Sequence, residues 1–146
     1  MKKLIECVPN FSEGRDQNII RQITDAIESV ESISLLDVDP GASTNRTVVT
    51  FVGSPEAAVE AAFRGIKKAA ELIDMRKQKG AHPRMGATDV CPFIPVSNVS
   101  WEEAIECANC LGKRVGDELQ IPVYLYERAA KNRSRSNLSV IRAGEY

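Results

Sequence analysis

Short apolar runs alternate along this chain with stripes of apolar residues three and four apart, and the order of the two patterns limits the folds open to it. Lys3–Val8 is a short apolar run closed by Pro9-Asn10, which reads as a strand. Asp16 or a neighbour can cap a helix whose apolar positions Ile19, Ile20, Ile23, Ile27 and Val30 share one face. Ile33–Val38 reads as a second strand, followed by the turn signal of Pro40-Gly41 and Ser43-Thr44-Asn45. The β-branched and aromatic run Arg46–Val52 is the third strand. Ser54-Pro55 opens a second helix well, because the serine can accept from an orphan N–H and proline at the first helical position loses nothing. Its expected buried face is Val59, Ala62, Phe63, Ile66, Ala70 and Ile73. After a loop from Lys77 to Gly86, Thr88–Val96 is a fourth strand, expected at an edge or interrupted because Pro92 and Pro95 cannot donate to a ladder. Ser100-Trp101-Glu102-Glu103 has capping-box spacing, and the helix it opens is expected to bury Trp101, Ile105, Ala108, Val115 and Leu119. Pro122–Tyr126 is a fifth strand.

The order β-α-β-β-α-β followed by α-β predicts an α+β fold, an α/β sandwich. Its core is the split βαβ, ferredoxin-like arrangement, extended by the last two elements, with a mixed sheet and helices on one face. Strand two carries Leu35, Leu36 and Val38, and strand three carries Val48, Val49, Phe51 and Val52. Apolar side chains therefore point to both faces, where a one-sided sheet in water would alternate. The second face is expected to pack on another domain or subunit.

Residues 1–146 read as one domain, without an internal repeat or linker. A chain of this length buries roughly 70% of its unfolded surface and needs no staple. The net charge of −1 and an aromatic content of 5% speak against a nucleic-acid partner. Charge is uneven, however. Arg64, Lys67, Lys68, Arg76, Lys77, Lys79 and Arg84 face only Glu71 and Asp74 between Arg64 and Arg84. Arg128–Arg142 carries five bases and no acid. Such stretches can attract a small polyanion or simply be solvated faces. Glu6, Pro9 and Asn10 interrupt the N-terminal apolar stretch too early for a signal peptide, and no segment approaches a membrane span. Cys7, Cys91, Cys107 and Cys110 do not form a secreted disulfide framework, so the expected location is the cytoplasm.

The richest stretch for chemistry runs from Lys79 to Asp89, where Gly80 and Gly86 bracket His82 and Arg84. His82 is the only histidine, and Pro83 biases it to an extended backbone. An imidazole titrating near 6.5 suits a general base at neutral pH, and the plainer alternative is a surface-loop histidine without a role. Arg84 and Lys79 can recognise carboxylate or phosphate, arginine alone with a bidentate fork. A second constellation, Asp37 to Arg46, joins adjacent strands and gathers polar groups at one sheet end; the alternative is an ordinary hairpin turn. A third, Pro9 to Arg15, could equally be helix capping. Cys107-Ala108-Asn109-Cys110 lacks a second ligand pair, so no metal site is expected. Those two cysteines, three apart on a helix, are expected to face the core or be half-buried. Phosphate-loop and nucleophile-elbow spacings are missing.

Several long strings resemble the formiminotransferase N-terminal subdomain family. They are Glu6-Cys7-Val8-Pro9-Asn10-Phe11-Ser12-Glu13-Gly14, Leu36-Asp37-Val38-Asp39, Ser43-Thr44-Asn45-Arg46-Thr47, His82-Pro83-Arg84-Met85-Gly86 and Asp89-Val90-Cys91-Pro92-Phe93-Ile94-Pro95, with Ile141 to Tyr146 at the end. The resemblance covers Leu4 to Tyr146. It implies folate-dependent transfer of a formimino group between N-formimino-L-glutamate and tetrahydrofolate, in histidine degradation, with tetrahydrofolate as one-carbon carrier and no metal. By that similarity His82 is the general acid/base and Asp39 orients it or stabilises its charge. Arg46 and Arg84 hold carboxylates of glutamate or of the folate tail, with Asn10 and Asn45 as polar contacts.

The family's transferase carries a second subdomain, which lies beyond Tyr146 and is expected to be absent from this chain. The expected partner is therefore a complementary C-terminal subdomain or a second copy. Two other readings stand beside this one: a folate-binding or partner-subunit module without turnover, and a formyl- instead of a formimino-transferase. A regulatory domain that senses an amino acid would also fit the fold order, which does not determine function.

Overall fold

The computed structural model describes residues 2–73 and 88–119. The first strand is split by Pro9, which has no N–H to give a ladder. Its parts are β1 (Leu4–Cys7) and β2 (Asn10–Phe11). Both run antiparallel to one long neighbour, β4 (Arg46–Gly53), with Cys7 opposite Phe51 and Asn10 opposite Val48. The break costs little pairing, because the Pro9 carbonyl still accepts from Val49 N at 3.0 Å.

β3 (Ser34–Gly41) lies on the other side of β4 and runs further than the sequence reading has it. Pro40 and Gly41 pair with Thr47 and Arg46, and the turn falls at residues 42–45. Proline is tolerated there because β3 pairs only with β4 among the described residues. A register shift between Leu35 and Asp37 sets Leu36 out of the alternation.

The fourth strand is interrupted, as its prolines require. β5 (Thr88–Val90) pairs with β2, and β6 (Phe93–Ser97) pairs with β1. The lanes across the sheet are thus β3, β4, β1/β2 and β6/β5, the order of the split βαβ arrangement. Every pairing among the described residues is antiparallel. Each helical crossover skips a lane, so strands that run parallel are not neighbours, and the parallel part of the expected mixed sheet is not seen among these residues. The fifth strand expected over Pro122–Tyr126 lies outside them.

Helix α1 (Gln17–Glu28) starts at Asp16, whose carboxylate accepts from Asn18 N and Ile19 N at 3.0 and 3.3 Å. Helix α2 (Pro55–Leu72) starts at Ser54, whose hydroxyl accepts from Ala57 N at 3.2 Å. Helix α3 (Trp101–Leu119) starts at Ser100, whose hydroxyl accepts from Glu103 N. The three helices cover the face that carries Ile5, Cys7, Phe11, Val49 and Phe51, all buried. α1 and α2 pack closely at Gly65, where a Cβ would press on the side chains of Ile27 and Phe11.

Two helix faces differ from the sequence reading. On α2, Ala69 is buried and Ala70 exposed. On α3, the buried stripe is Ala104, Cys107, Leu111 and Val115, while Trp101 is 45% exposed and Ile105 only half-buried. The capping box fixes where α3 begins, whereas its rotation follows the surface that β6 and α2 offer it. Of its cysteines, Cys107 is buried and Cys110 exposed. None of the helices among the described residues is long and apolar enough to cross a membrane.

Among the described residues nothing packs over the opposite face of the sheet. β4 alternates, with Thr47, Val49, Phe51 and Gly53 buried and Arg46, Val48, Thr50 and Val52 half-buried on the other side. Leu4 and Glu6 extend that side across β1, and Ile94 and Val96 across β6. Ile94 and Val96 are exposed, as is Leu36 from the β3 irregularity. The expectation of apolar side chains on both faces therefore holds.

Candidate active-site end of the sheet

The β3–β4 turn and the segment from Ser12 to Asp16 are locked together at one end of the sheet. Asn45 adopts the left-handed backbone with φ of 52° and is buried. Asparagine tolerates that conformation better than most residues. Its Oδ1 accepts from Gly14 N at 2.9 Å. Gly14 sits against the backbone of Gly41 and Arg46 so closely that any Cβ would collide with it. Thr47 Oγ1 donates to Glu13 O at 2.5 Å, and Arg15 Nε donates to Ala42 O at 2.8 Å. Glu13, a buried carboxylate, accepts from Arg15 N and Asp16 N, both at 3.0 Å. The carboxylate thus satisfies N–H groups that would otherwise be orphaned just before α1.

This clamp orients the open face beside it. Asp39 and Asn10 both pair with Val48, one from each side, so the three form a row across the open face. Adjacent strands are about 4.8 Å apart, which separates Asp39 from Asn10 by roughly 10 Å. Arg46 lies two residues before Val48 on the same side, opposite Gly41, which has no side chain to crowd it. Asp39 is exposed; Asn10 and Arg46 are half-buried. Asn10 Nδ2 reaches the Val8 carbonyl at 3.5 Å.

The structure therefore brings Asn10, Asp39 and Arg46 to one end of one face. It turns Asn45 inward, where its amide oxygen is committed to the backbone of Gly14. Its place there is in the clamp and not on the open face. His82, Arg84 and Lys79 lie outside the described residues. The chain emerges from their stretch into β5, which pairs with β2 at Asn10 and Phe11. Ser12, Glu13, Gly14 and Thr47 were not singled out as individual residues by the sequence reading. Apart from the strings that carry the resemblance, the signal for Ser12, Glu13 and Gly14 is a run of small and polar residues between a strand and a cap, which also fits plain capping, and Thr47 reads only as a strand residue.

An open depression of about 450 Å³ lies at the far end of the sheet, lined by Lys2, Lys3, Ser32, Ser34, Ser54 and Glu56 among others. It contains none of the candidate residues. Among the described residues no group of three or more histidine, cysteine, aspartate or glutamate side chains could hold a metal ion.

Chemically, the open face offers an apolar floor at Val48 and Val52, a guanidinium at Arg46, an amide at Asn10 and carboxylates at Asp37 and Asp39. A flat, partly apolar ring can lie on such a floor, and arginine can grip a carboxylate bidentately.

Comparison with known proteins agrees with the strings that gave the resemblance. Residues 4–146 match the family described as formiminotransferase domain, N-terminal subdomain. The chain is 58% identical over its whole length to formimidoyltransferase-cyclodeaminase of Gallus gallus, covering 27% of that protein. It is 54% identical over 139 residues, 95% of this chain, to glutamate formimidoyltransferase of Thermoplasma acidophilum, covering 46% of it. It is 44% identical over its whole length to glutamate formimidoyltransferase of Streptococcus pyogenes serotype M1, covering 49%. The chain thus spans from about a quarter to half the length of these relatives. It belongs to the formiminotransferase family, as a representative of the N-terminal subdomain.

Proposed function

We propose that this chain supplies one half of a site that transfers a formimino group between N-formimino-L-glutamate and tetrahydrofolate, as a step of histidine degradation in the cytoplasm. The observation that carries the reading is the convergence of Asn10, Asp39 and Arg46 on an open, partly apolar sheet face, in a chain of this family. Both substrates are anionic and one carries a flat ring, so an apolar floor with an arginine at its end suits them. Arg46 and Arg84 hold carboxylates, Lys79 adds positive charge, and Asn10 makes a polar contact.

His82 is the general acid/base. The folate nitrogen attacks the formimino carbon, and His82 takes the proton that this nitrogen loses. As the tetrahedral intermediate collapses, the bond from carbon to the glutamate nitrogen breaks, and His82 returns a proton to that nitrogen. Both half-steps are proton movements at nitrogen, which an imidazole near neutral pH serves well. Asp39 stabilises the imidazolium.

Residues 4–146 make up the N-terminal subdomain, and its open face is covered by a complementary C-terminal subdomain or a second copy. The exposed Leu36, Ile94 and Val96 support this, because a solvated sheet face would carry polar residues there. The test is to add tetrahydrofolate with N-formimino-L-glutamate, and in parallel with N-formylglutamate, to the chain alone and to the chain mixed with a separately produced C-terminal transferase subdomain. Transfer in the mixture, at least tenfold above either part alone, is expected. Folate binding without transfer in the mixture would favour a binding module, and transfer only from N-formylglutamate would make it a formyltransferase.

A further inference from the structure

Cys7 and Cys91 come together although 84 residues separate them, with Sγ atoms 3.4 Å apart. One thiol already donates to the other's sulfur. A disulfide needs about 2.05 Å between sulfurs, so the two must close by little more than 1 Å. Cys91 lies between β5 and β6, outside both, where Pro92 interrupts the strand. Its side chain can shift without breaking a ladder bond of its own.

The two thiols differ in access. Cys7 is fully buried under the helices, and Cys91 is half-buried. Burial pushes the Cys7 thiol well above the usual range, with the Cys91 contact adding to it. The same cause pushes Cys107 up to about 11. An oxidant in solution therefore meets Cys91 before it meets Cys7.

We propose that Cys7 and Cys91 form a peroxide-responsive thiol pair that closes to an intramolecular disulfide. In the first step Cys91 Sγ attacks one oxygen of hydrogen peroxide and the O–O bond breaks. The released hydroxide takes the Cys91 proton, giving a sulfenic acid and water. In the second step Cys7 Sγ attacks Cys91 Sγ and the S–O bond breaks. The departing hydroxide takes the Cys7 proton as a second water. Two electrons pass from the two thiols to the peroxide. The second step is the slower one, because the buried Cys7 gives up its proton reluctantly. A reducing cytosol keeps such a pair open until oxidant arrives. The proposal does not depend on the transfer reading, since it rests on the sheet alone.

The test is to treat the full chain with hydrogen peroxide, block remaining thiols with an alkylating agent, and map peptides without reduction. The expected product is one peptide pair joining Cys7 to Cys91, lighter by two hydrogens and released by dithiothreitol. It is absent in Cys91→Ser. In Cys7→Ala, which needs no buried hydroxyl, dimedone should trap Cys91 as sulfenic acid. Wild-type chain in which Cys91 proceeds to sulfinic acid while Cys7 stays alkylatable would overturn the proposal. So would a disulfide from Cys91 to Cys107 or Cys110.

Discussion

Asn45 shows how one residue can be visible in sequence while its work is not. Its string stands out beside Arg46, and a polar contact to substrate is a natural reading. In the fold its amide oxygen satisfies a buried N–H of Gly14, and its backbone takes φ of 52°. Neither property leaves a periodic trace: the φ belongs to the turn at residues 42–45, and the hydrogen bond comes from a segment 31 residues away closing on it. Asn45→Ala leaves that N–H unpaired, and urea unfolding should register a loss of about 1–3 kcal/mol. Arg46 differs, since alternation along β4 does put it on the open face. Arg46→Lys keeps the charge and loses the fork. Its transfer kinetics should show KM for the anionic substrates raised about tenfold with kcat little changed, from the 1.5–3 kcal/mol that charged hydrogen bonds contribute.

At the scale of elements, the strands and helices were legible because caps and prolines are local. Asp16, Ser54 and Ser100 all cap as their spacing suggests and Pro92 interrupts its strand, whereas Pro9, which reads as the end of the first strand, only splits it, with pairing resumed at Asn10 and Phe11. Which side of a helix faces inward was less legible. A stripe of Ala104, Cys107, Leu111 and Val115 on α3 buries as well as one with Trp101 and Ile105, and the neighbouring surface decides. Part of that surface is Arg114, which lies 3.9 Å over the Phe63 ring and bridges Glu60 on α2 at 2.5 Å and Glu118 at 3.0 Å. The Arg114 and Arg64 guanidiniums hold the Glu60 carboxyl below its usual 4.5. A lowered carboxyl stabilises the fold above its unfolded value and loses that contribution as pH falls through the folded one. The joint between α2 and α3 should therefore weaken only below about pH 4.5. Glu60→Gln should remove this part of the acid sensitivity in thermal unfolding at stepped pH. Arg114→Ala at neutral pH should cost about 1 kcal/mol, from a partly exposed ion pair and the ring contact.

For the whole molecule, the order of elements in the sequence was enough to predict the split βαβ core with helices on one side, while the fifth strand it also predicts lies outside the described residues. The apolar residues on the second face were enough to predict a cover. Leu36→Asp or Val96→Asp changes an exposed position, so the chain alone should keep its stability within about 0.5 kcal/mol. Association with the C-terminal subdomain, followed by sedimentation, should weaken by tenfold or more. Within the candidate site, the hairpin from Asp37 to Arg46 was legible as polar groups gathered at one sheet end, whereas Asn10 joins them through pairing with Val48 that no spacing in the chain reveals.

The most direct test of the account is the rate of formimino transfer by wild-type and His82→Ala chains, each combined with the C-terminal subdomain. In the variant kcat is expected to fall by about 10²–10⁴-fold, with folding and folate binding unchanged. A variant that keeps its rate within about threefold of wild type would contradict it, because this chain has no second histidine to take over.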